Sequence, residues 1–273
     1  MRVLAVANQK GGVGKTTSSV NLASAFAILG KKTLLIDLDP QGNASSGLGL
    51  IRDQYKEANL YHVFAGEISL EEVIIPTQFE NLFVVPCTQD LSGSEVELAH
   101  YMSKEHILKE SIAKLPEFFD YIIIDCPPSL GYLTLNGLSA ADQYVIPLQC
   151  EYFALEGLSS FVQIVQLVRR SLNPNLKPAG ILLTMHDQRN RLSHQVVAEV
   201  RKHFGGTVLD VVIPRNVRLS EAPSFGKSIF QYDPSCVGAQ AYMSAAKELI
   251  HRTELKKQEK KEDGPTRSSE NTP

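Results

Sequence analysis

The segment NQKGGVGKTT, residues 8–17, lies between a short apolar run and a helix-length periodic run. Its glycines let backbone N–H groups curl around phosphate oxygens without a Cβ clash, and the following helix N-terminus adds partial positive charge. Lys15 can reach the β- and γ-phosphates of a nucleotide, and the Thr16 hydroxyl can ligate Mg²⁺. The strand–loop–helix context favours a phosphate-binding loop over a glycine turn that only opens a helix.

The loop departs at its start from the usual G-x-x-x-x-G-K-[ST] pattern. Gln9 stands where the first glycine is expected, and an additional lysine, Lys10, follows it. A second cation beside a polyphosphate would stabilise the negative charge that spreads over the phosphates in the transition state. The residues predicted to bind the nucleotide here are Lys10, Gly11, Gly12, Val13, Gly14, Lys15, Thr16 and Thr17.

Aspartates follow two further apolar runs. Asp37 and Asp39 come at the end of KTLLID and just after it, and Asp125 ends YIIID. Ligands of open α/β sheets bind at the carboxyl ends of the strands, so these carboxylates are expected near the loop. Asp125 has four apolar residues before it, which favours an Mg²⁺-side role over a helix cap or a turn. Asp37 and Asp39 are not separable on these grounds.

Short apolar runs alternate with helix-length periodic segments along the rest of the chain. Several runs are nearly continuous in Val, Ile and Leu, which is typical of parallel strands covered on both faces. Right-handed crossovers between such strands predict an α/β fold with a doubly wound, mainly parallel sheet and helices on both faces. Helices are predicted over residues 15–29, around 155–168 and around 239–251. The predicted strands are residues 2–7, 32–37, 82–85, 121–125, 144–148, 179–184 and 208–213.

The chain has 273 residues, enough for one large α/β domain with a full core. We predict that this domain spans residues 1–252, because the sequence beyond it is polar and charged with few apolar residues. Residues 253–273 are predicted to form a disordered, charge-balanced tail.

The composition of the chain restricts its expected cellular compartment and its expected binding partners. No apolar run approaches the roughly 20 residues that cross a bilayer, and no basic-then-apolar leader is present, so we expect a cytoplasmic protein without membrane contact. The formal net charge of −3 argues against a constitutively basic protein that coats nucleic acid, but leaves room for a local basic patch. Scattered single cysteines favour reduced thiols over disulfides or a zinc site; they are Cys87, Cys126, Cys150 and Cys236.

The loop KGGVGKTT resembles the deviant Walker A loop of the MinD/ParA ATPase superfamily. Further segments resemble the chromosomal ParA proteins, also called Soj, and the resemblance spans about residues 2–250. It implies a P-loop ATPase that uses ATP and Mg²⁺, forms an ATP-dependent sandwich homodimer, and binds nucleoid DNA non-specifically. It also implies that a ParB-type partner stimulates hydrolysis. The segments are DLDPQGNASSGLG, IIIDCPPSLG, PLQCEYFALEGL, LLTMHDQR and IPRNVRLSEAPSFGKSI.

The same resemblance implies a set of catalytic residues: Lys10, Lys15, Asp39 and Asp125. Lys10 would reach across the dimer to the partner's phosphates, and Asp39 would position or activate the attacking water. Thr16 would ligate Mg²⁺ directly, while Asp39 and Asp125 would act on the metal through water. Asp37 would then have a structural role, or would support the residues that contact the nucleotide without contacting it.

The resemblance also assigns residues outside the loop. Pro214 and Asn216 would lie at the adenine, and Arg189 and Arg218 would bind DNA phosphates. From the residues alone, these arginines could equally be ordinary solvated side chains. The matching segments contain further polar residues to which no role is assigned: Gln149, Glu151 and Glu221.

Three other functions use a similar loop. Membrane-surface positioning, as in MinD proteins, would need a C-terminal amphipathic helix with a substantial apolar face, and the tail is polar. Electron transfer through a metal cluster would need converging cysteine thiolates. A metabolic ligase or kinase remains open, although no substrate pocket is legible in the sequence. An ATP-hydrolysing chromosome-partitioning protein is the leading hypothesis, and the membrane-positioning ATPase is the alternative.

Overall fold

The computed structural model describes residues 1–97 and 103–262. Its strands are β1 Arg2–Val6, β2 Thr33–Asp37, β3 Ile75–Pro76, β4 Leu82–Val85, β5 Tyr121–Asp125, β6 Gln143–Gln149, β7 Lys177–His186 and β8 Val208–Pro214. Within these residues the strands form one eight-stranded sheet in the order β3-β4-β2-β5-β1-β6-β7-β8. Neighbouring strands are parallel except for the antiparallel pair β3 and β4 at one edge. The predicted doubly wound, mainly parallel sheet is confirmed.

Helices connect the strands across both faces of the sheet. They are α1 Lys15–Ile28, α2 Asn43–Gly47, α3 Leu60–Phe64, α4 Ser94–Glu97, α5 Ile107–Ala113, α6 Tyr132–Ala140, α7 Ala154–Ser171, α8 Arg191–Phe204, α9 Val217–Glu221, α10 Ile229–Tyr232 and α11 Val237–Glu262. The predicted helices correspond to α1, α7 and part of α11. No helix in the described part of the chain is long and apolar enough to cross a membrane.

Alternate residues of the central strands enter two separate apolar cores. In β1, Val3 and Ala5 belong to one core, whereas Leu4 and Val6 belong to the other. Side chains of α5, α6, α7 and α8 fill the first core, and those of α1 and α11 fill the second. Burial on both faces is the reason that these strands read as unbroken apolar runs in the sequence.

The last helix extends beyond the predicted end of the domain at residue 252. α11 continues to Glu262, and the prediction of a disordered tail over residues 253–273 stays a prediction. Thr253 is 2% exposed, and its hydroxyl lies 3.0 Å from the Tyr121 hydroxyl. Arg252 donates hydrogen bonds to the carbonyls of Gly206 and Val208. These contacts fix the helix to the sheet; residues 263–273 lie outside the described residues.

Gly49 and Gly226 bring the loop after α2 against the loop before α10. Both have positive φ, at +81° and +61°, and a Cβ on Gly226 would lie 2.6 Å from the Gly49 Cα. We expect Gly226→Ala to lower the free energy of unfolding by about 2 kcal/mol or more, because steric overlap adds to left-handed backbone strain. Urea unfolding measures this change.

Gly66→Ala is the matched control for this substitution. Gly66 also has a positive φ, at +77°, but nothing lies within 4 Å of the position that its Cβ would take. The control therefore reports backbone strain alone, about 1–2 kcal/mol. An equal loss of stability in both variants would contradict the steric explanation of the Gly49–Gly226 contact.

Candidate nucleotide-binding site

The phosphate loop leaves the carboxyl end of β1, whose neighbours in the sheet are β5 and β6. Gly12 and Gly14 adopt φ values of +73° and +87°, which glycine reaches without steric penalty. Gly14 is the N-cap residue that directly precedes α1, and its carbonyl accepts the backbone N–H of Ser18. The loop therefore leads directly into the N-terminus of α1, which is where an anion site of this kind is found.

Lys15 is the first residue of α1, directly after the glycines of the loop, and is 7% exposed. Its Nζ donates to the backbone carbonyl of Lys10 at 3.0 Å, so the loop itself holds the ammonium group. Burial lowers the pKa of Lys15, while the nearby carboxylates of Asp125 and Asp39 act in the opposite direction. The loop thus presents a partly desolvated cation, where its attraction for a phosphate is stronger than in water.

Asp125 ends β5 and is fully buried beside the loop. Ser19 donates to its Oδ1 at 2.8 Å, whereas its Oδ2 is buried without a hydrogen-bond partner. Burial raises the pKa of Asp125 to about 8, with a further contribution from the negative charge of Asp37. An unpartnered buried carboxylate oxygen is costly, and a cation at this point would compensate for it.

Asp37 is the register partner of Asp125 in the neighbouring strand, and it has a structural partner of its own. The backbone N–H and the hydroxyl of Ser45 both donate to Asp37 Oδ2, at 2.7 and 2.6 Å. Asp37 therefore anchors the start of α2, although burial raises its pKa to about 6. The structure separates Asp37 from Asp39, which the sequence could not do.

Asp39 lies two residues beyond the end of β2 and is 8% exposed. Its Oδ1 accepts the backbone N–H of Gln41 at 3.0 Å, and its carbonyl accepts the thiol of Cys87. The segment after β2 is thus fixed by its own turn. Its role in positioning water stays a prediction.

The predicted magnesium ligands fit a hard cation. Thr16, Asp39 and Asp125 offer oxygen atoms only, which Mg²⁺ prefers. Among residues 1–97 and 103–262, no group of three or more His, Cys, Asp or Glu side chains could hold a metal by itself. This agrees with Mg²⁺, which is usually bound through one or two carboxylates together with water and substrate phosphates. The unpartnered Oδ2 of Asp125 is the observation that supports the fit.

Pro214 and Asn216 border a cleft that opens beside the phosphate loop. The cleft has a volume of about 90 Å³ and is also lined by Gly14, Thr17 and Met185. Asn216 additionally caps α9, because its Oδ1 accepts the backbone N–H of Arg218 at 2.8 Å. The structure brings both residues to the loop, and their contacts with adenine stay a prediction.

Lys10, the additional lysine, is directed towards the segment after β6. Its Nζ lies 3.7 Å from Glu151 Oε2, and both side chains are partly exposed. Arg215 approaches the same carboxylate at 4.0 Å, and Gln149 donates to it. Glu151, for which no role was predicted, is therefore shared by two cations at the rim of the site.

The two predicted DNA-binding arginines follow the neighbouring parallel strands β7 and β8. Both therefore lie on the side of the sheet where the carboxyl ends of the strands are found. Arg189 is exposed in the loop after β7, and its backbone N–H donates to Asp187 Oδ1. Arg218 lies in α9 and pairs with Glu221 at 3.0 Å and with Asp233 at 3.6 Å. The hydrogen bond that Arg218 donates to Glu221 raises the pKa of Arg218 further. Arg189 is thus the more available cation, because acidic neighbours compensate Arg218.

Several supporting residues of the site were not predicted. Ser19 is one helical turn beyond Lys15 and therefore faces the same side of α1, a spacing that could have identified it. Ser45 and Glu151 carry no such local signal, since their partners lie on other elements. These side chains hold the predicted residues in place.

The parallel sheet, the glycine loop between β1 and α1, and the strand-end carboxylates define a P-loop nucleotide-binding protein. Residues 1–178 match the family model described as AAA domain. The chain is 51% identical to "Chromosome partitioning protein ParA" of Myxococcus xanthus, covering 92% of this chain and 88% of that protein. It therefore belongs to the AAA-domain family and to the ParA/Soj family of chromosome-partitioning ATPases.

Two further proteins illustrate the similarity. "Sporulation initiation inhibitor protein Soj" of Bacillus subtilis is 51% identical, covering 91% of this chain and 98% of that protein. A crystal structure titled cobyrinic acid a,c-diamide synthase from Mycobacterium smegmatis, with bound ADP and magnesium, has a TM-score of 0.81 and 37% identity. The match covers 93% of this chain and 96% of that chain. An adenine nucleotide with magnesium is therefore found in a solved protein of this fold.

Proposed function

We propose that the chain is an Mg²⁺-dependent ATPase that acts in chromosome partitioning as an ATP-gated switch. ATP closes a homodimer, the dimer binds double-stranded nucleoid DNA without sequence preference, and hydrolysis stimulated by a ParB-type partner releases it. The observation that carries this proposal is the position of Lys15: its ammonium group donates to the Lys10 carbonyl, and the charges of Asp125 and Asp39 act on it.

The chain's own residues account for the chemistry as follows. Backbone N–H groups of the loop and the Lys15 ammonium group bind and orient the phosphates, and they stabilise the charge that develops during transfer. Asp39 holds the attacking water in line with the γ-phosphate. Thr16, Asp39 and Asp125 would hold Mg²⁺, which when bound draws negative charge from the phosphate oxygens.

Exposed aromatic residues beside Lys10 support the dimer. Tyr152 and Phe153 are 74% and 62% exposed, and they directly follow Glu151, the partner of Lys10. Their rings contact each other edge to face at 5.1 Å, so they form one apolar surface next to charged groups. Exposed aromatic surface is typical of protein interfaces. In the proposed dimer, Lys10 exchanges Glu151 for the phosphates bound to the partner.

The charge balance supports conditional rather than permanent DNA binding. With a net charge of −3, a single chain does not attract DNA by its overall field. Two copies of Arg189 in a dimer would double the number of phosphate contacts that this residue makes. ATP shifts DNA binding only if the DNA-competent state binds ATP more tightly than the other state does.

Salt-dependent DNA binding with and without ATP tests the proposal. We expect the wild-type chain to bind a DNA duplex of arbitrary sequence only with ATP, and more weakly as salt rises. We expect Arg189→Ala to reduce the slope of log affinity against log salt by about two, one phosphate contact for each protomer. Fluorescence anisotropy with labelled duplexes measures both quantities.

Arg170→Ala is the matched control. Arg170 is an exposed arginine in the last turn of α7, which ends near the amino-terminal ends of the strands, whereas Arg189 follows a carboxyl-terminal end. It is expected to keep the wild-type salt slope. Equal DNA affinity of the wild type with and without ATP would reject the ATP gate. An unchanged slope in Arg189→Ala would reject the assignment of the DNA surface.

A further inference from the structure

A buried hydroxyl group connects the end of β7 with the phosphate loop. Thr184 Oγ1 donates to the backbone carbonyl of Val13 at 2.8 Å, across 171 residues of sequence. Thr184 is 2% exposed, and Val13 is fully buried. The proposed chemistry makes no use of Thr184, although it contacts the loop directly.

This hydrogen bond fixes one peptide plane of the loop. No cis peptide bond occurs in the described residues, so the Val13–Gly14 peptide is trans, and its C=O and N–H point to opposite sides of one plane. Because Thr184 holds the Val13 carbonyl on one side, the Gly14 N–H is directed to the other side. Gly14 is also the N-cap residue of α1, and the first N–H groups of a helix are available to bind an anion.

Thr184 is itself held firmly. Its backbone carbonyl accepts the N–H of Cys150 at the end of β6, at 3.1 Å. A Cβ on Gly14 would lie 4.0 Å from the Thr184 methyl carbon and 3.8 Å from Met185, so both residues pack behind the peptide. The hydroxyl therefore projects from a rigid strand end, and its position defines that of the Val13 carbonyl.

We propose that Thr184 is a positioning residue of the nucleotide site. Its hydroxyl orients the Val13–Gly14 peptide so that the Gly14 N–H is presented to the β-phosphate of a nucleoside di- or triphosphate. This inference rests on the proposed ATPase function and adds a residue to it. Without the hydroxyl, the plane of the Val13–Gly14 peptide is no longer held by Thr184. The charge-assisted hydrogen bond from the Gly14 N–H to phosphate is then lost or weakened.

The competing explanation is that Thr184 only satisfies a buried carbonyl. In that case its replacement would lower the stability of the fold but would not affect phosphate binding selectively. A nucleotide series separates the two explanations, because AMP lacks the β-phosphate that ADP and ATP carry.

The experiment measures binding of ATP, ADP and AMP with Mg²⁺ by calorimetry, and unfolding by urea, for the wild type and three variants. Thr184→Val keeps the shape and the methyl group but removes the hydroxyl, and Thr184→Ser keeps the hydroxyl. Thr33→Val is the matched control: Thr33 is a fully buried threonine that donates to the Lys31 carbonyl away from the site. Where Thr184→Val fails to fold, Thr184→Ala removes the hydroxyl without added bulk and takes its place.

We expect Thr184→Val to bind ADP and ATP about tenfold more weakly than the wild type, with AMP affinity unchanged. Thr184→Ser and Thr33→Val are expected to bind all three nucleotides as the wild type does. Wild-type affinity for ADP in folded Thr184→Val, or an equal loss for ADP and AMP, would overturn the inference. A wild type that binds ADP but does not hydrolyse ATP would reject the proposed function, and the binding series would still decide the role of Thr184.

Discussion

Lys15→Ala is expected to reduce ATP hydrolysis by about a hundredfold to a thousandfold and to abolish ATP-dependent DNA binding. Lys15 is 7% exposed and is held at the loop by the Lys10 carbonyl, so no other side chain can take its position without rebuilding the loop. Without the ammonium group, the phosphates lose a partly desolvated cation and face Asp39 and Asp125 directly. Phosphate release and DNA binding with ATP measure the two effects.

Lys31→Ala is the matched control for this lysine. Lys31 pairs with Glu254 at 3.1 Å on the surface, remote from the loop, and such exposed ion pairs contribute little to stability. The control is expected to hydrolyse ATP and bind DNA as the wild type does. If Lys15→Ala bound DNA with ATP as strongly as the wild type, and with the same salt sensitivity, nucleotide would not gate DNA binding.

The central part of the fold could be predicted from sequence because its strands are buried on both faces. β2 and β5 lie inside the sheet, and each appears in the sequence as an unbroken apolar run. β3 was not predicted, since it has only two residues and includes Pro76, which suits an edge strand alone. α11 was predicted too short, because its later contacts, such as that of Thr253 with Tyr121, lie beyond the apolar pattern.

The site was predictable where its residues are contiguous and not where they are brought together by folding. The loop from Lys10 to Thr17 is one segment, so its residue types and their spacing identify it. Ser19 with Asp125, and Thr184 with Val13, are 106 and 171 residues apart, and no local period relates them. Such pairs depend on which strands become neighbours in the sheet.

Asp37 and Asp39 show most clearly what sequence periodicity cannot resolve. They are two residues apart at a strand end, where a period of two gives side chains on the same face, so periodicity cannot distinguish them. The structure does, because Ser45 donates two hydrogen bonds to Asp37 and leaves Asp39 outside that pair. The two hydrogen bonds from Ser45 therefore couple Asp37 Oδ2 to the folding of α2, and the role of Asp39 in hydrolysis stays a prediction.

Asp39→Asn is the variant that separates hydrolysis from binding. We expect ATP hydrolysis to fall about a hundredfold or more, because an amide cannot act on the attacking water as a carboxylate does. Asparagine retains an oxygen that can accept the Gln41 N–H, so the turn after β2 is preserved. Lys15 stays in place, and ATP binding is expected to remain within a few-fold of the wild type. The variant is therefore expected to form the ATP-bound dimer but not to dissociate through hydrolysis.

The loss of hydrolysis in Asp39→Asn is expected to change DNA binding in the direction opposite to the change in Lys15→Ala. With ATP present, Asp39→Asn is expected to stay on DNA longer than the wild type, because release follows hydrolysis in the proposed cycle. Single-turnover phosphate release and DNA dissociation rates measure the two steps, and Asp53→Asn, at an exposed aspartate that is not among the predicted site residues, serves as the control. Rapid DNA release by Asp39→Asn in spite of blocked hydrolysis would mean that ATP dissociation, and not hydrolysis, opens the dimer.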